Sequence, residues 1–288
     1  MTDDVFKLGV LKLGCIGAAP LLDLLLDERA DREDLDVRGF TSGAKLDPSA
    51  CAAATQSVVE YHPDLILIVS PNAALRGPKT SRASIAAAKI PVITISDGPS
   101  KKAFYRKNDE GKHVVNVPNE QGFFVLVSDP MIGARREFLD PSEMALFNAD
   151  VIKVLAATGV LRLIQNELDR VIEELKADSA ADMPKINVTA EKAVTAGKFA
   201  NPYAAAKALA ALKVAESVAA VTSKGCFIEQ DAAKYITLVA AGHEMMRSAA
   251  RLADEARELE KSGDSVLRTP HSGAGARLHK IHLADKPS

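Results

Sequence analysis

The 288-residue sequence predicts an α/β fold, in which a parallel sheet domain flanked by helices is followed by a helix bundle and a small C-terminal β segment. In the first half, near-continuous apolar strands such as "LILIVS" alternate with helical segments, the rhythm of a parallel sheet covered on both faces. The second half carries long helical patterns and ends in two strand-like pieces joined by a glycine-rich turn. We therefore expect an α/β domain at 1–140, a helix bundle at 141–263 and a β segment at 264–288.

Composition and charge limit the kind of partner that this chain can have. Hydrophobic residues make up 47% and charged residues 26%, and the net charge of -2 creates no overall field that would attract nucleic acid or anionic lipid. No apolar run reaches the length of a bilayer span, and "MTDDVFKLGV" lacks the features of a signal peptide, so we expect a cytoplasmic protein. The widely spaced Cys15, Cys51 and Cys226 argue against a disulfide framework or zinc site and are expected to be buried apolar residues.

Hydrophobic spacing predicts the individual elements of the first half. The expected strands, in chain order, are "FKLGVLKLG", "DVRGF", "DLILIVS", "PVITIS" and "GFFVLVS". The expected helices between them are "PLLDLLLDERADRED", "SACAAATQSVVEYH" and "KTSRASIAAAK".

The second half is predicted to be helical from Asp140 to about Ala177, with a break or close approach at Gly159. An alanine-rich helix is expected at 201–224, and another helix follows it. One face of this last helix carries mostly small side chains, at Ile236, Val239, His243, Met246, Ala249, Ala253 and Ala256. Such a face lets helices approach closely within a bundle or across a subunit boundary, so we expect a homo-oligomer.

Each predicted strand ends in small, flexible or hydrogen-bonding residues. Because ligands of parallel sheets bind beyond the carboxyl ends of the strands, these loops predict one continuous binding rim. Parallel sheets also place turn residues at such positions for purely structural reasons, so each loop could serve the fold without binding a ligand. The rim candidates are Gly14, Gly17, Thr41, Ser42, Gly43, Ser70, Pro71, Asn72, Asp97, Gly98 and Asp129.

The first two loops indicate the class of ligand. A nicotinamide-binding fold would show G-x-G-x-x-G after the first strand and a carboxylate after the second. Here Lys12 takes the place of the first glycine, and the second strand ends in Thr41 and Ser42 with no carboxylate. Backbone N–H groups, hydroxyls and a lysine suit a phosphate, so an anionic cofactor other than a nicotinamide dinucleotide is favoured, with Lys12, Ser42 and Lys45 as candidates for its anionic groups.

Several long strings of this sequence resemble one known family. They are "DPMIGARREFLDPSEMALFNADVIKVLAATG", "SPNAALRGP", "DLLLDERADRED", "ANPYAAAKA", "LVAAGHEMMRSAARLADEARE" and "VLRTPH". Together they are similar to the coenzyme F420-dependent methylenetetrahydromethanopterin dehydrogenases of methanogenic and related archaea, from Lys7 to His271. The resemblance implies a homohexamer that transfers hydride reversibly between methylenetetrahydromethanopterin and coenzyme F420, a dissociable deazaflavin cosubstrate, without a metal or prosthetic group.

This chemistry sets what the site residues must do. Loss of hydride leaves a methenyl cation on the pterin, so a nearby carboxylate would be favourable, and Asp97 and Asp129 are the catalytic candidates. Glu120, Arg135 and His243 are the candidates for binding the substrate. A purely structural role is the alternative for these residues. Asp-Pro is a common turn, two adjacent arginine side chains usually diverge, and a lone histidine on a helix face is more often a buried structural residue.

Two rival functions remain open at the level of sequence. An α/β domain followed by helices also describes NADP-dependent hydroxyacid dehydrogenases, although the missing glycine motif counts against them. A non-enzymatic anion-binding or assembly scaffold would use the same loops only for structure.

Overall fold

The computed structural model describes residues 5–27, 32–133, 135–177 and 179–288, and it is built around a six-stranded parallel sheet. The strand order is β2-β1-β3-β4-β7-β8, and every neighbouring pair is parallel. Its strands are β1 (Phe6–Lys12), β2 (Leu35–Thr41), β3 (Leu65–Ser70), β4 (Val92–Asp97), β7 (Gln121–Leu126) and β8 (Lys185–Val188). Two further strands, β5 (Tyr105–Lys107) and β6 (His113–Val115), form a separate antiparallel hairpin.

Helices cover both faces of the sheet and continue into a bundle. The helices of the first half are α1 (Ala18–Asp27), α2 (Pro48–Glu60), α3 (Arg76–Ala87) and the short α4 (Lys101–Phe104). Those of the second half are α5 (Pro141–Ala157), α6 (Val160–Lys176), α7 (Ala190–Gly197), α8 (Pro202–Ser223) and α9 (Ala232–Ser262), with a π-helical turn at Lys224–Ile228.

The central strands are buried because both of their faces are covered. All six side chains of β3 are buried, and the five apolar ones alternate between two clusters. Ile66 and Ile68 pack with residues of α2 and α3, whereas Leu67 and Val69 pack with the larger cluster that includes α1, α5, α6, α8 and α9. The unbroken apolar pattern predicted this double coverage, and the structure confirms it.

Gly159 separates α5 from α6, as its position in the helical pattern predicted. Its φ of 99° lies in the left-handed region, and an added Cβ would collide with the Ala193 carbonyl oxygen. The two helices bend by 65° across this break and together reach the length and composition of a membrane span. No single helix in the described ranges is long and apolar enough to cross a membrane.

The structure adds features that the sequence patterns did not reveal. Strand β8 lies beyond residue 140, so the sheet takes its edge strand from the segment predicted to be a helix bundle. In the C-terminal segment, the strand-like pieces pair only through two isolated antiparallel bridges, Arg268 with Lys280 and His271 with Arg277. The part of the predicted first helix at 28–31 lies outside the described residues. Cys51 is buried as predicted, whereas Cys15 and Cys226 are half-buried.

Candidate active site

The sheet register brings the predicted strand ends to one edge. Lys12 pairs with Thr41 on one side and with Val69 on the other, Ser70 pairs with Ser96, and Asp97 pairs with Leu126. Because all of these pairs are parallel, the loops that follow them leave the sheet on the same side. The structure thus assembles the loops after β1, β2, β3, β4 and β7 into one edge, which we call the rim.

Asp129 joins two of these loops. Its side chain is fully buried, and its two oxygens accept hydrogen bonds from the backbone N–H groups of Gly17 at 3.0 Å and Ala18 at 2.7 Å. These are the N–H groups at the start of α1, which have no partner within the helix. The packing leaves no room for a side chain at Gly17, because an added Cβ would lie 2.5 Å from Val151 Cγ1 and 2.9 Å from Asp129 Oδ1. Asp129 therefore fixes the loop after β1 against the loop after β7.

Asp97 ends the central strand β4 and is 3% exposed. Its carboxyl group accepts hydrogen bonds from the backbone N–H groups of Gly98 and Met131. An added Cβ on Gly98 would meet only Val127, at 3.9 Å, so there is open space at the residue that follows Asp97. Asp97 thus links the loop after β4 to the loop after β7.

Both rim carboxyl groups hold their protons more tightly than ordinary carboxyls. Burial raises the pKa of Asp97 to about 8, and the neighbouring charge of Asp129 adds to the rise. Burial likewise raises the pKa of Asp129 to about 7, against the opposing effect of the Ala18 and Gly17 N–H groups. A cation bound nearby would lower both pKa values, so binding of positive charge at this edge is coupled to proton release.

A cluster of hydroxyl groups supports the loop after β3, and sequence reasoning missed two of its members. Ser96 and Ser100 lie 2.5 Å apart, and both accept a hydrogen bond from the Ala73 N–H group, at 3.2 and 2.8 Å. The hydroxyl of Ser70 is buried without a hydrogen-bond partner among the described residues. The string "SDGPS" was the available signal, because its serines flank a strand end and a helix start.

The end of β2 is open to a ligand. The Gly43 N–H group donates to Thr41 Oγ1 at 2.8 Å, and the Ser42 hydroxyl donates to the Lys45 carbonyl at 2.7 Å. Gly43 has a φ of 65°, and nothing lies within 4 Å of a Cβ added there. The Lys12 ammonium forms no salt bridge with the described residues, and its charge opposes the rise in the pKa of the nearby Asp23.

Arg135 has a structural position in this fold. Its guanidinium donates to the carbonyls of Gly225 at 3.0 Å and Glu229 at 2.7 Å, and it stacks 4.2 Å from the centroid of the Tyr235 ring. These contacts tie the segment after β7 to the π-helical turn and α9. The predicted divergence of the two arginines is visible, since Arg136 is exposed.

His243 lies beside the rim and lines a cavity of about 240 Å³. Its Nε2 is 2.9 Å from the Ile132 carbonyl oxygen, and its Nδ1 is 3.6 Å from a carboxylate oxygen of Glu143. The rings of Phe138 and Phe147 stand 4.8 and 4.6 Å from the imidazole. The histidine is 8% exposed and anchors the segment after β7 to α9.

The structure corrects the predicted position of Glu120, which was expected at or near the rim. Glu120 is exposed and directly precedes β7, whose first residue Gln121 pairs with Val92. In a parallel sheet the starts and ends of strands lie on opposite edges, and six residues of strand separate Glu120 from the rim by about 20 Å. The predicted strand "GFFVLVS" begins two residues after Glu120, so the sequence alone was enough to place this residue at the edge opposite the rim.

The residues at the rim are suited to anions and to a buried proton. Within the described ranges, no group of three or more His, Cys, Asp or Glu side chains is arranged to hold a metal ion.

Comparison with known proteins gives consistent matches over the whole chain. Residues 6–288 match the family model of methylene-5,6,7,8-tetrahydromethanopterin dehydrogenase. The chain is 56% identical to the F420-dependent methylenetetrahydromethanopterin dehydrogenase of Archaeoglobus fulgidus, over 98% of this chain and 99% of that protein. It is 49% identical to the enzyme of the same name from Methanocaldococcus jannaschii, with the same coverage.

A solved structure is similar in fold and in sequence. It is an F420 dependent methylene-tetrahydromethanopterin dehydrogenase in complex with methylene-tetrahydromethanopterin and coenzyme F420. The TM-score is 0.90 and the identity 44%, and the alignment covers 99% of this chain and 100% of that one. The names of these relatives give no support to an NADP-dependent hydroxyacid dehydrogenase or to a scaffold without activity.

Proposed function

Because the chain belongs to the methylene-5,6,7,8-tetrahydromethanopterin dehydrogenase family, we propose that it catalyses reversible hydride transfer between 5,10-methylenetetrahydromethanopterin and coenzyme F420. The products are methenyltetrahydromethanopterin and reduced F420, in a one-carbon step of methanogenesis from CO2. The observation that carries this proposal is the match over residues 6–288, together with relatives of the same name at 49 to 56% identity.

The protein's task in this reaction is to position two molecules and exclude water. Coenzyme F420, when bound, supplies the deazaflavin carbon that accepts the hydride. No proton leaves the methylene carbon, so no general base is needed there, and alignment and electrostatics supply the catalysis. The rim suits this task because the hydrogen bonds of Asp97, Asp129 and Ser100 hold four of its loops to one another.

We assign different roles to the two buried carboxyl groups. Asp97 is the group that faces the methenyl cation, because it ends a central strand and has open space beside Gly98. Loss of its proton to solvent as the cation forms leaves negative charge where positive charge develops. Asp129 acts as a positioning residue, since both of its oxygens are engaged by the start of α1.

The residues at the rim fit an anionic cosubstrate. Lys12 and the N–H groups near Gly14 are proposed to hold its anionic groups, because the Gly17 N–H group is already bound to Asp129. The open space at Gly43 admits a ligand. The unpartnered Ser70 hydroxyl offers a hydrogen bond to a bound ring. The full set proposed to contact the cosubstrate is Lys12, Gly14, Gly17, Thr41, Ser42, Gly43, Ser70, Pro71, Asn72 and Gly98.

Pterin binding is proposed for the neighbouring segment after β7. His243 lines a cavity beside this segment, and Arg135 shapes it through the Gly225 and Glu229 carbonyls. Arg135 therefore acts as a positioning residue. We assign no substrate contact to Glu120, which lies on the other edge of the sheet.

We further propose that the protein is a cytoplasmic homohexamer that binds F420 as a dissociable cosubstrate and uses no metal or prosthetic group. Large exposed apolar side chains support a subunit contact, since Tyr203, Phe227 and Ile228 are 78, 64 and 71% exposed. We also propose that 1–140, joined by β8, forms the cofactor-binding domain, with 141–263 as the bundle and 264–288 as a small appended segment.

The test is an anaerobic assay of the purified protein with oxidised F420 and methylenetetrahydromethanopterin. Bleaching of the deazaflavin absorbance is expected, and NAD and NADP in parallel reactions are expected to remain unreduced. Turnover with NADP alone, or with none of the three, would contradict the proposal.

A variant pair tests the role of Asp97. Asp97→Asn is expected to lower kcat at least tenfold, because the variant cannot supply negative charge next to the cation. Asp109→Asn changes the same charge in the exposed turn between β5 and β6 and is expected to retain full activity. Equal kcat values for the two variants would remove Asp97 from the chemistry.

A further inference from the structure

A small cavity lies far from the rim, at the end of the bundle. It has a volume of about 90 Å³ and is bounded by the start of α6, the end of α7, the last turns of α9 and the residues that follow α9. Polar lining groups come from Arg162, Gln165, Arg257 and Glu260. A water molecule needs about 10–15 Å³ of such volume, so a tetrahedral oxyanion of five heavy atoms fits.

Two guanidinium groups line this cavity, and a third stands close by. Arg162 donates to the Leu267 carbonyl at 2.6 Å and to Thr269 Oγ1 at 3.2 Å. Arg257 is half-buried and makes no hydrogen bond or ion pair with any residue that the structure describes. Arg268, nearby, donates to the carbonyls of Val266 and Ile281.

These cations repel one another. Burial lowers the pKa of Arg162, and the charge of Arg257 lowers it further. Burial also lowers the pKa of Arg257, and the charge of Arg268 is the next largest cause. Half-buried guanidinium groups are normally paired with carboxylates, because burying an unpaired charge is costly. Glu258 and Glu260 act on the pKa of Arg257 in the opposite direction, but neither carboxylate is hydrogen-bonded or ion-paired to its guanidinium.

Glu260 is the carboxylate in the lining, and other groups already occupy its oxygens. Oε1 accepts from the Asn201 N–H group at 2.7 Å, and Oε2 accepts from the Ala200 N–H group at 3.2 Å and from the Ser265 hydroxyl at 3.0 Å. Arg162, Arg257 and Arg268 counted against Glu260 and the nearby Glu258 leave one positive charge around the cavity.

The backbone adds to the positive potential. Helix α6 begins after Gly159 with no side-chain hydrogen bond at its N-cap, and Gly159, Leu161 and Arg162 all line the cavity. The first N–H groups of a helix have no partner within the helix and carry partial positive charge. A tetrahedral dianion has the charge and the acceptor oxygens that this site lacks.

From these observations we propose that the cavity between α6, α9 and the residues after α9 is a binding site for inorganic phosphate, with Arg257 and Arg162 as its cationic ligands. The site is separate from the rim. Arg257 lies fourteen positions after His243 on α9, which corresponds to about 21 Å along the helix. The proposal does not depend on the proposed enzymatic activity.

Calorimetric titration of the full chain with inorganic phosphate, in phosphate-free buffer at constant ionic strength set with chloride, tests the proposal. One phosphate per chain is expected to bind saturably. Arg257→Gln is expected to weaken binding at least tenfold. Arg251→Gln removes the same charge from an exposed position on the same helix and is expected to change the affinity less than twofold. Absence of saturable binding, or equal affinities for the two variants, would overturn the proposal.

Thermal unfolding separates a binding role from a structural one. Without phosphate, Arg257→Gln is expected to unfold at the same temperature as the wild type or higher, because the substitution relieves repulsion. Phosphate should then raise the Tm of the wild type and of Arg251→Gln but not of Arg257→Gln. A large loss of Tm in phosphate-free buffer would instead mean that Arg257 serves the fold.

Competition identifies the source of the phosphate group. Saturating F420 or methylenetetrahydromethanopterin is expected to leave phosphate binding unchanged, because the site is remote from the rim. Displacement of phosphate by either compound would assign the cavity to a phosphate ester on that compound and overturn the proposal of a separate site. No arm of the experiment measures turnover, so an inactive protein could still bind phosphate as proposed.

Discussion

Asp129 offers the sharpest test of the electrostatics at the rim. The side chain is fully buried and accepts two N–H groups at the start of α1, an arrangement that favours the anion, whereas burial favours the neutral acid. We expect burial to dominate. Replacing the carboxyl group with the neutral amide in Asp129→Asn removes the titration and leaves the shape nearly unchanged.

The size of the effect follows from the pKa. A carboxyl group whose pKa rises from 3.8 to about 7 on folding binds its proton more tightly in the folded state, by about 4 kcal/mol. The folded protein therefore loses this amount of stability as the pH rises from about 4 to about 7. The asparagine variant does not titrate, so its stability relative to the wild type should improve over the same range. The substitution also removes the negative charge that repels the neighbouring Asp97, which stabilises the variant over the same pH range.

At low pH the Asp129→Asn variant is expected to be less stable than the wild type. Its amide oxygen can accept from one of the two N–H groups, and leaving the other unpaired in a buried site costs about 1–3 kcal/mol. Asp129→Asn is thus expected to be less stable than the wild type at pH 4.5 and at least as stable at pH 8.5. For a chain of this length, the Tm of the variant relative to that of the wild type is expected to rise by about 5 °C between pH 4.5 and pH 8.5.

The assay is thermal unfolding of both proteins at pH values from 4.5 to 8.5. Asp47→Asn is the matched control, because Asp47 caps α2 at an exposed position, where the hydroxyl of Ser49 and the N–H group of Ala50 lower its pKa. The stabilising effect of Asp47 is complete above pH 3.8, so its difference from the wild type should stay constant. If Asp129→Asn instead fell further behind as the pH rose, the start of α1 would be holding an anion and our reasoning would be refuted.

Three other substitutions test the placement of individual residues. Gly17→Ala is expected to cost about 1–3 kcal/mol of unfolding free energy, because its Cβ overlaps a packed core. Arg135→Ala is expected to cost about 2 kcal/mol, because two carbonyls lose a charged donor. Glu120→Gln is expected to leave kcat/KM within about twofold of the wild type, because the residue is separated from the rim by the length of a strand.

Each of these substitutions has a control or a contrary outcome. Gly39→Ala places a methyl group where nothing lies within 4 Å, so it should leave the urea midpoint unchanged where Gly17→Ala lowers it. Arg136→Ala removes an exposed arginine beside Arg135 and should unfold like the wild type. A large rise in KM for Glu120→Gln in the anaerobic assay would return that residue to the substrate site.

Local patterns were sufficient for most of the elements. The apolar run of β3 predicted a strand covered on both faces, and the interruption at Gly159 predicted the break between α5 and α6. These features depend on side-chain periodicity and on backbone angles that a glycine allows, and both can be read from a few neighbouring residues. The hairpin of β5 and β6 and the short strand β8 carry weaker patterns and were missed.

The family resemblance was also present in the sequence alone, because long strings of residues carry it. Which residues meet at the rim was a tertiary question. Ser96 and Ser100 approach Ala73 only because β3 and β4 are neighbours in the sheet.

By itself, the sequence determined the fold class, the order of the main helices and strands, and the family to which the chain belongs. Only the tertiary structure decided what the charged residues do. Asp129 binds the start of α1, Arg135 binds two carbonyls, and Arg257 is left half-buried without a partner. The physical reason is that periodicity is local, whereas the partner and burial of a charge depend on residues that are distant in the sequence. Asp129 and Gly17, for example, lie more than a hundred positions apart.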